Sequence, residues 1–401
     1  MARAIQDVMR LAMEYEPKIV QFLRDLIRIP STSGCEGAAM RRIVEEMQAV
    51  GLPDVEIDEI GNVVGRIGDG DLKVLYDSHI DTVGIGDISA WPHDPFEGKL
   101  ENGIVYGRGA SDNKAAIACM VYAARIMMDL DLGSGATLYV VGVPQEEDCD
   151  GWAIGEMISR EFIRPDLVVL GECTNLGVNR GHRGRCEVAV ATRGVSCHAS
   201  APERGENAIY KMIPTIKGVQ ALESKTKDDP FLGRGSIAVT RIESVSGSLN
   251  ALPDLCKVYI DRRMTIGETA GSTIEDVRKH SDPCAEVSLL RYTEKSWTGY
   301  QADVPKDYPT WVLQPDHPAV LAGVEAARQV LGRDPVVSKW VFSTDGVSIT
   351  GKHGIPTIGF GPGEEKYAHT VNDQVPVDHL AAATGFYAVF PDVAAAIMAK
   401  R

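Results

Sequence analysis

Three strand-length apolar runs in this chain end abruptly in carboxylates or an imidazole, and that recurrence restricts the fold more than any other feature. The run at 72–76 leads to His79 and Asp81, the run at 136–143 to Glu146 and Glu147, and the run at 165–170 to Glu172. A short continuous apolar run bounded by turn signals reads as a strand buried on both faces, as in a parallel sheet covered by helices. Ligands of such sheets bind at the carboxyl ends of the strands. Carboxylates gathered at a buried edge are costly unless water or a cation meets them. A solvated turn explains one such edge, whereas the repetition points to a shared metal site. His79 and Asp81, two residues apart on an extended backbone, share one side, where a carboxylate can hold the second nitrogen of a ligand imidazole. Asp112, after Gly107-Arg-Gly-Ala-Ser, opens the next helix and reads equally well as its cap.

The rest of the first texture alternates helix and strand. Apolar spacing predicts one or two amphipathic helices over 5–28, then helices over 37–50, 115–130, 151–162, 318–331, 345–352 and 377–400. Strand signals fall at 55–60, 63–67, 336–340 and 356–363, the last leading to His369, and Asn102-Gly103 reads as a hairpin turn. From Arg185 the pattern changes to half-exposed alternation. Strands at 186–191, 236–244, 256–262 and 285–292, with helices at 207–222 and 273–279, give the order β-α-β-β-α-β of a small ferredoxin-like unit. The expected fold is α/β: a catalytic domain of residues 1–183 and 301–401 with a mixed central sheet flanked by helices, plus an inserted α+β domain, 184–300.

A formal charge of -15 argues against a nucleic-acid surface and an anionic membrane partner. The apolar runs read as too short and interrupted to span a bilayer, and Asp7, Arg10, Glu14 and Glu16 break up any signal-peptide core. Eight scattered cysteines without a C-x-x-C read as thiols of a reducing cytoplasm. Gly107 and Gly109 lack the pattern of a phosphate cradle. His93, His182, His280, His317, His353 and His379 have no carboxylate at ligand spacing and read as structural, as do Cys149 and Cys173.

Nearly the whole chain resembles the M20 metallopeptidase family of carboxypeptidases, aminoacylases, acetylornithine deacetylase and succinyl-diaminopimelate desuccinylase. The resemblance is carried by Ser78-His-Ile-Asp-Thr-Val83, Gly107-Arg-Gly-Ala-Ser-Asp-Asn-Lys114, Glu146-Glu147, Glu172 and His369. Segments 145–151, 194–205 and 342–348 look most like the branch linked to selenium metabolism. The chain departs from the family at Gly84, Asn113, Ala115 and Asn372-Asp373, none of them a proposed ligand.

The resemblance implies a zinc-peptidase-like catalytic domain and a lid that also dimerises. It implies two divalent ions, zinc by preference with cobalt or manganese as alternatives, bridged by Asp112. His79 and Glu172 complete one site, Glu147 and His369 the other. Asp81 orients His79, and Glu146 is the general base for a metal-bridging hydroxide. His198 reaches an active site from the lid, often that of the partner in a homodimer, and Asn250 and Arg262 hold the substrate carboxylate. The expected activity is hydrolysis of an N-acylated amino acid or small peptide in the cytoplasm, without nucleic acid or membrane. Glu172, where aminopeptidase branches tend to have Asp, leans toward the acylase and carboxypeptidase side. The rivals are a dipeptidase or metallocarboxypeptidase of the same family and a non-catalytic binding protein on the same fold; a nucleotide-binding α/β enzyme lacks its glycine fingerprint.

Overall fold

The computed structural model describes residues 2–399. Its larger sheet has eight strands in the order Asp54–Ile57, Val63–Ile67, Ala136–Val143, Leu72–His79, Leu167–Leu170, Thr357–Gly359, Val178–Asn179, Val337–Ser338. The four central strands, from Ala136–Val143 to Thr357–Gly359, are mutually parallel, and antiparallel pairs flank them. Their carboxyl ends therefore open on one edge. Register fixes what arrives there: His79 lies opposite Val143, and Asp77 opposite Leu170.

Alternate residues of these strands feed two cores, as a pleat covered on both faces requires. Val74, Tyr76, Leu138, Val140, Leu167 and Val169 enter the larger core. Leu75, Val141, Val143, Val168 and Leu170 enter the smaller one with Trp152, Trp311 and Trp340. Helices Ala2–Ile27, Lys114–Leu130, Pro318–Leu331 and Val377–Met398 pack together on the first face. The sequence suggested one or two helices at the start; a single helix forms, with Pro17 inside it. Buried Lys114 satisfies its C-terminal end, with Nζ donating to the carbonyls of Leu26 and Ile29 at 2.9 Å each.

Two expectations change. Val377–Met398 is long and apolar enough to cross a membrane, contrary to the reading from apolar runs. It instead forms the centre of the helical layer, with Phe386, Tyr387 and Phe390 fully buried. The expected end of that helix, Lys400, lies outside the described residues. Strand 336–340 contracts to Val337–Ser338, because Trp340 turns inward and donates to the Cys173 carbonyl at 3.1 Å. The hairpin at Asn102-Gly103 forms, with φ of 52° and 75°.

The smaller sheet runs Ser236–Val245, Leu255–Met264, Gly184–Arg193, Glu286–Leu289, with helices Ala208–Glu223 and Ala270–Lys279 over one face. This is the ferredoxin-like strand order. Asp307–Tyr308 also pairs with the start of Gly184–Arg193, so the sheet draws in a strand from beyond residue 300.

Candidate metal centre

Five backbone segments bring the ligand candidates together. His79 ends a central strand, Asp112 precedes the Lys114–Leu130 helix, and Glu147 and Glu172 follow the next two strands. His369 sits on the turn after Thr357–Gly359, held in the left-handed region at φ 59°. Asp112 is not the helix cap; Asn113 holds that place, across a cis peptide bond. The Asp112 carboxylate instead divides between two imidazoles, with Oδ1 2.9 Å from His79 Nε2 and Oδ2 3.3 Å from His369 Nε2. Glu172 Oε1 stands 3.5 Å from His79 Nε2, and Glu147 Oε2 2.9 Å from His369 Nε2.

His79, Asp112 and Glu172 thus each offer a ligand atom within 4.8 Å of one another, and so do Asp112, Glu147 and His369. The fit to cations shows in what the protein leaves unanswered: Glu172 Oε2 and Glu146 Oε1 are buried without a hydrogen-bond partner. Mixed imidazole and carboxylate donors suit zinc, cobalt or manganese.

As side chains alone, the groups perturb one another strongly. Burial disfavours protonation of His79, but Glu172, Asp112 and Asp81 outweigh it and push the imidazole well above its usual range. Hydrogen bonds to Asp112 and Glu147 raise His369 to about 10. Burial, with Asp150, Glu172 and Asp345 nearby, pushes Glu146 well up against the opposing pull of His79. A carboxyl disposed to hold a proton beside paired ligand groups is the usual state of a general acid and base.

Asp81 meets His79 with two of its oxygens. His79 Nδ1 lies 3.0 Å from the Asp81 carbonyl oxygen and 3.6 Å from its carboxylate. The backbone oxygen therefore takes the Nδ1 proton and leaves Nε2 to face Asp112. The carboxylate accepts from the amides of Glu146 and Glu147, at 3.0 and 3.1 Å, and from Ser33 Oγ at 2.7 Å. Glu36 extends this clamp. Fully buried, it accepts from the amides of Gln145 at 3.1 Å and Gly34 at 2.9 Å. Burial, with Asp81 close by, pushes Glu36 up to about 8. Three consecutive amides are thus held by two carboxylates, fixing the loop that carries Glu146 and Glu147. Asp373 does the same for the approach to Asp112, accepting from the amides of Gly109 and Ser111 at 2.7 and 2.8 Å and pairing with Arg108 at 3.1 Å. Neither role was anticipated; Glu36 carries no local signal, since its partners lie on another segment.

The cavity above the cluster, about 340 Å³, is lined by Asp112, Glu146, Glu147, Glu172 and His369 together with Asp150, Arg185, Arg263, Phe342 and Glu365. Arg262 is absent from this wall. On the Leu255–Met264 strand it shares a face with Val258, Ile260 and Met264, pairs with Glu268, and lines a different cavity under the helices. Arg263, one step along the pleat, faces the site, with Nε 2.9 Å from Asp261 Oδ1. Of these two adjacent arginines it is Arg263 that reaches the cavity. His198 and Asn250 lie together on an exposed edge of the smaller sheet, where Ala199 donates to the Asn250 carbonyl at 2.8 Å. His198 Nδ1 accepts from the Ser200 amide at 3.1 Å, Asn250 bonds Ser248, and neither lines the cavity of its own chain.

The remaining histidines have other work. His182 Nε2 accepts from Trp311 Nε1 at 2.7 Å and from the Thr344 amide at 3.1 Å. His317 caps the Pro318–Leu331 helix, His379 accepts from the Gly363 amide, and His93 packs on Tyr106. His280 and His353 meet Asp276 O and Ser159 Oγ. Cys149 and Cys173 are buried, unpaired thiols in contact with the packed interior.

The uncharacterized protein YgeY of Escherichia coli K12 is 46% identical over 387 residues, 96% of each chain. A solved M20 family metallo-carboxypeptidase from Sulfolobus solfataricus is similar in fold, with a TM-score of 0.74 at 16% identity, covering 94% of this chain and 99% of that one. A dinuclear metal-binding peptidase of the M20 family from Bacillus subtilis has a TM-score of 0.70 at 15% identity, covering 96% and 99%. The family model for peptidase family M20/M25/M40 matches residues 75–391, from the first metal-ligand strand to the last helix, and the chain belongs to that family.

Proposed function

We propose that this protein is a two-metal amide hydrolase acting on an N-acylated amino acid or small peptide with a free carboxylate. One observation carries the reading: the Asp112 carboxylate gives one oxygen to each of two imidazoles, and each imidazole has a further carboxylate beside it. His79, Asp112 and Glu172 would hold one divalent ion, and Asp112, Glu147 and His369 the other, zinc being the preferred metal. Such a pair supplies Lewis acidity at the carbonyl and lowers the pKa of water.

The protein's own groups do the rest. Glu146 takes a proton from the attacking water and returns it to the leaving nitrogen. Its burial keeps that proton from bulk solvent. Arg263 pairs with the substrate carboxylate, its fork already steadied by Asp261. His198 stands outside its own cavity and would donate to the developing oxyanion of a partner subunit. Exposed Tyr210, Ile213, Ile242 and Val245 on the outer helix and edge strand of the smaller sheet support a homodimer built there. The division into 1–183 with 301–401 and an inserted 184–300, a cytoplasmic location, and the likeness to the selenium-linked branch in segments 145–151, 194–205 and 342–348 belong to the same proposal.

The test is metal content after gentle purification, with hydrolysis of N-acyl amino acids and dipeptides followed before and after chelation. Two ions per chain, with activity lost on chelation and regained with zinc or cobalt, is the expected result. A chain that takes up no stoichiometric metal on reconstitution sinks the mechanism and brings forward a binding protein on the same fold.

A further inference from the structure

One carboxylate in the cavity has no place in the metal cluster and no cationic partner among the described residues. Its walls carry six carboxylates, from Asp112, Glu146, Glu147, Asp150, Glu172 and Glu365. Asp112, Glu147 and Glu172 belong to the ligand groups, and Glu146 is the proposed base. Asp150 pairs with Arg185 at 2.6 Å. Glu365 has none of these tasks. It is half-buried on the short turn Glu365–Tyr367 that leads to His369. Its protein partner is the Val341 amide, 3.3 Å from Oε1. The neighbouring Lys366 turns to Glu364 instead, and no cationic side chain among the described residues forms an ion pair with Glu365.

A carboxylate partly withdrawn from water, facing a binding space, is stabilised by an incoming cation and penalises an incoming anion. Arg263, from the smaller sheet, and Glu365, from the segment before His369, line the same cavity with opposite charges. A substrate whose carboxylate meets Arg263 leaves its acyl half free to meet Glu365. We infer that Glu365 reads a positively charged amine on the acyl half of the substrate, so that aminoacyl substrates such as dipeptides are preferred over neutral acyl groups, and acyl groups ending in a carboxylate are disfavoured. The inference rests on the amide-hydrolase reading and narrows it. It runs against the lean toward acylases that Glu172 gives by resemblance.

Glycyl- and acetyl-amino acids make the test, because they differ by one amine. Metal-loaded protein should hydrolyse the glycyl compound with a kcat/KM about tenfold or more above the acetyl compound. Glu365→Gln, which still accepts from the Val341 amide, should lose about 10- to 100-fold on the glycyl compound and far less on the acetyl compound. Glu365→Lys should turn the preference toward succinyl-amino acids. Independently of turnover, a phosphinic glycyl-amino acid analogue should bind the wild type more tightly than its des-amino counterpart, measured by titration calorimetry, and Glu365→Gln should erase the difference. Equal loss on both substrates, or no change on either, overturns the role of Glu365 while leaving amide hydrolysis in place. No hydrolysis of either compound by a chain that also takes up no metal removes both readings together.

Discussion

Glu146 keeps a buried carboxylate oxygen without a partner, close to His79, Asp150, Glu172 and Asp345. Replacing it with alanine removes the proton carrier and leaves the five ligand side chains in place. Glu146→Ala should therefore retain both metals, measured by elemental analysis, and lose turnover by about 100- to 10,000-fold. Unimpaired turnover would refute its assignment as the base. A second contrast separates neighbouring arginines. Arg263→Ala should raise KM about tenfold or more for substrates with a free carboxylate, because a charge-assisted pair is lost. Arg262→Ala should leave KM nearly unchanged and lower stability instead, since it strands the nearly buried Glu268. Steady-state kinetics and urea unfolding on both variants distinguish the two. His79, Glu147 and Glu172 were legible in the sequence because each follows an apolar run, whereas Asp112 read equally well as a helix cap and His369 entered only through the family resemblance. The resemblance named Arg262, one step from the arginine that lines the cavity, because two adjacent arginines in a strand do not show which side of a pleat each takes.

At the scale of elements, the strands were easier to read than the loops that make them useful. Apolar runs announce buried strands, whereas the Glu36 and Asp81 clamp on residues 145–147 joins segments more than sixty positions apart. His182 is a similar long-range tie, binding the short strand pair Gly181–His182 and Trp311–Val312 to the Thr344 turn. Burial lowers its pKa to about 4 from 6.5, because the folded site accepts hydrogen bonds at Nε2 and has no place for a second proton. A depressed pKa in the folded state means stability that is complete above pH 6.5 and drains away as pH falls through about 4. The expected loss over that window is about 3 kcal/mol. A His182→Gln variant, which accepts but does not ionise, should be less stable at neutral pH and show a shallower decline in urea unfolding. An unchanged slope would assign the acid sensitivity to other groups.

The whole molecule gathers its chemistry on one edge of the large sheet and places His198 where its own chain has no use for it. If the smaller sheets pair, mixing Glu146→Ala with His198→Ala should rebuild one intact site in each mixed dimer, and so restore up to about a quarter of full activity from two inactive proteins. A monomer in sedimentation, or no recovery after subunit exchange, would count against action across the dimer. Chelation should also lower the melting temperature, because cations that bind only the folded cluster stabilise it in proportion to their affinity. Adding back zinc should restore it.

The loop bearing the base is moored at both ends to the part of the chain that covers it. At its start the Gln145 side-chain amide donates to the Lys295 carbonyl at 2.9 Å, on the strand of chain returning from the smaller sheet. At its finish Asp150 grips Arg185, on that sheet's first strand, at 2.6 Å. Any displacement of that sheet would therefore be transmitted to residues 145–150, and with them to Glu146.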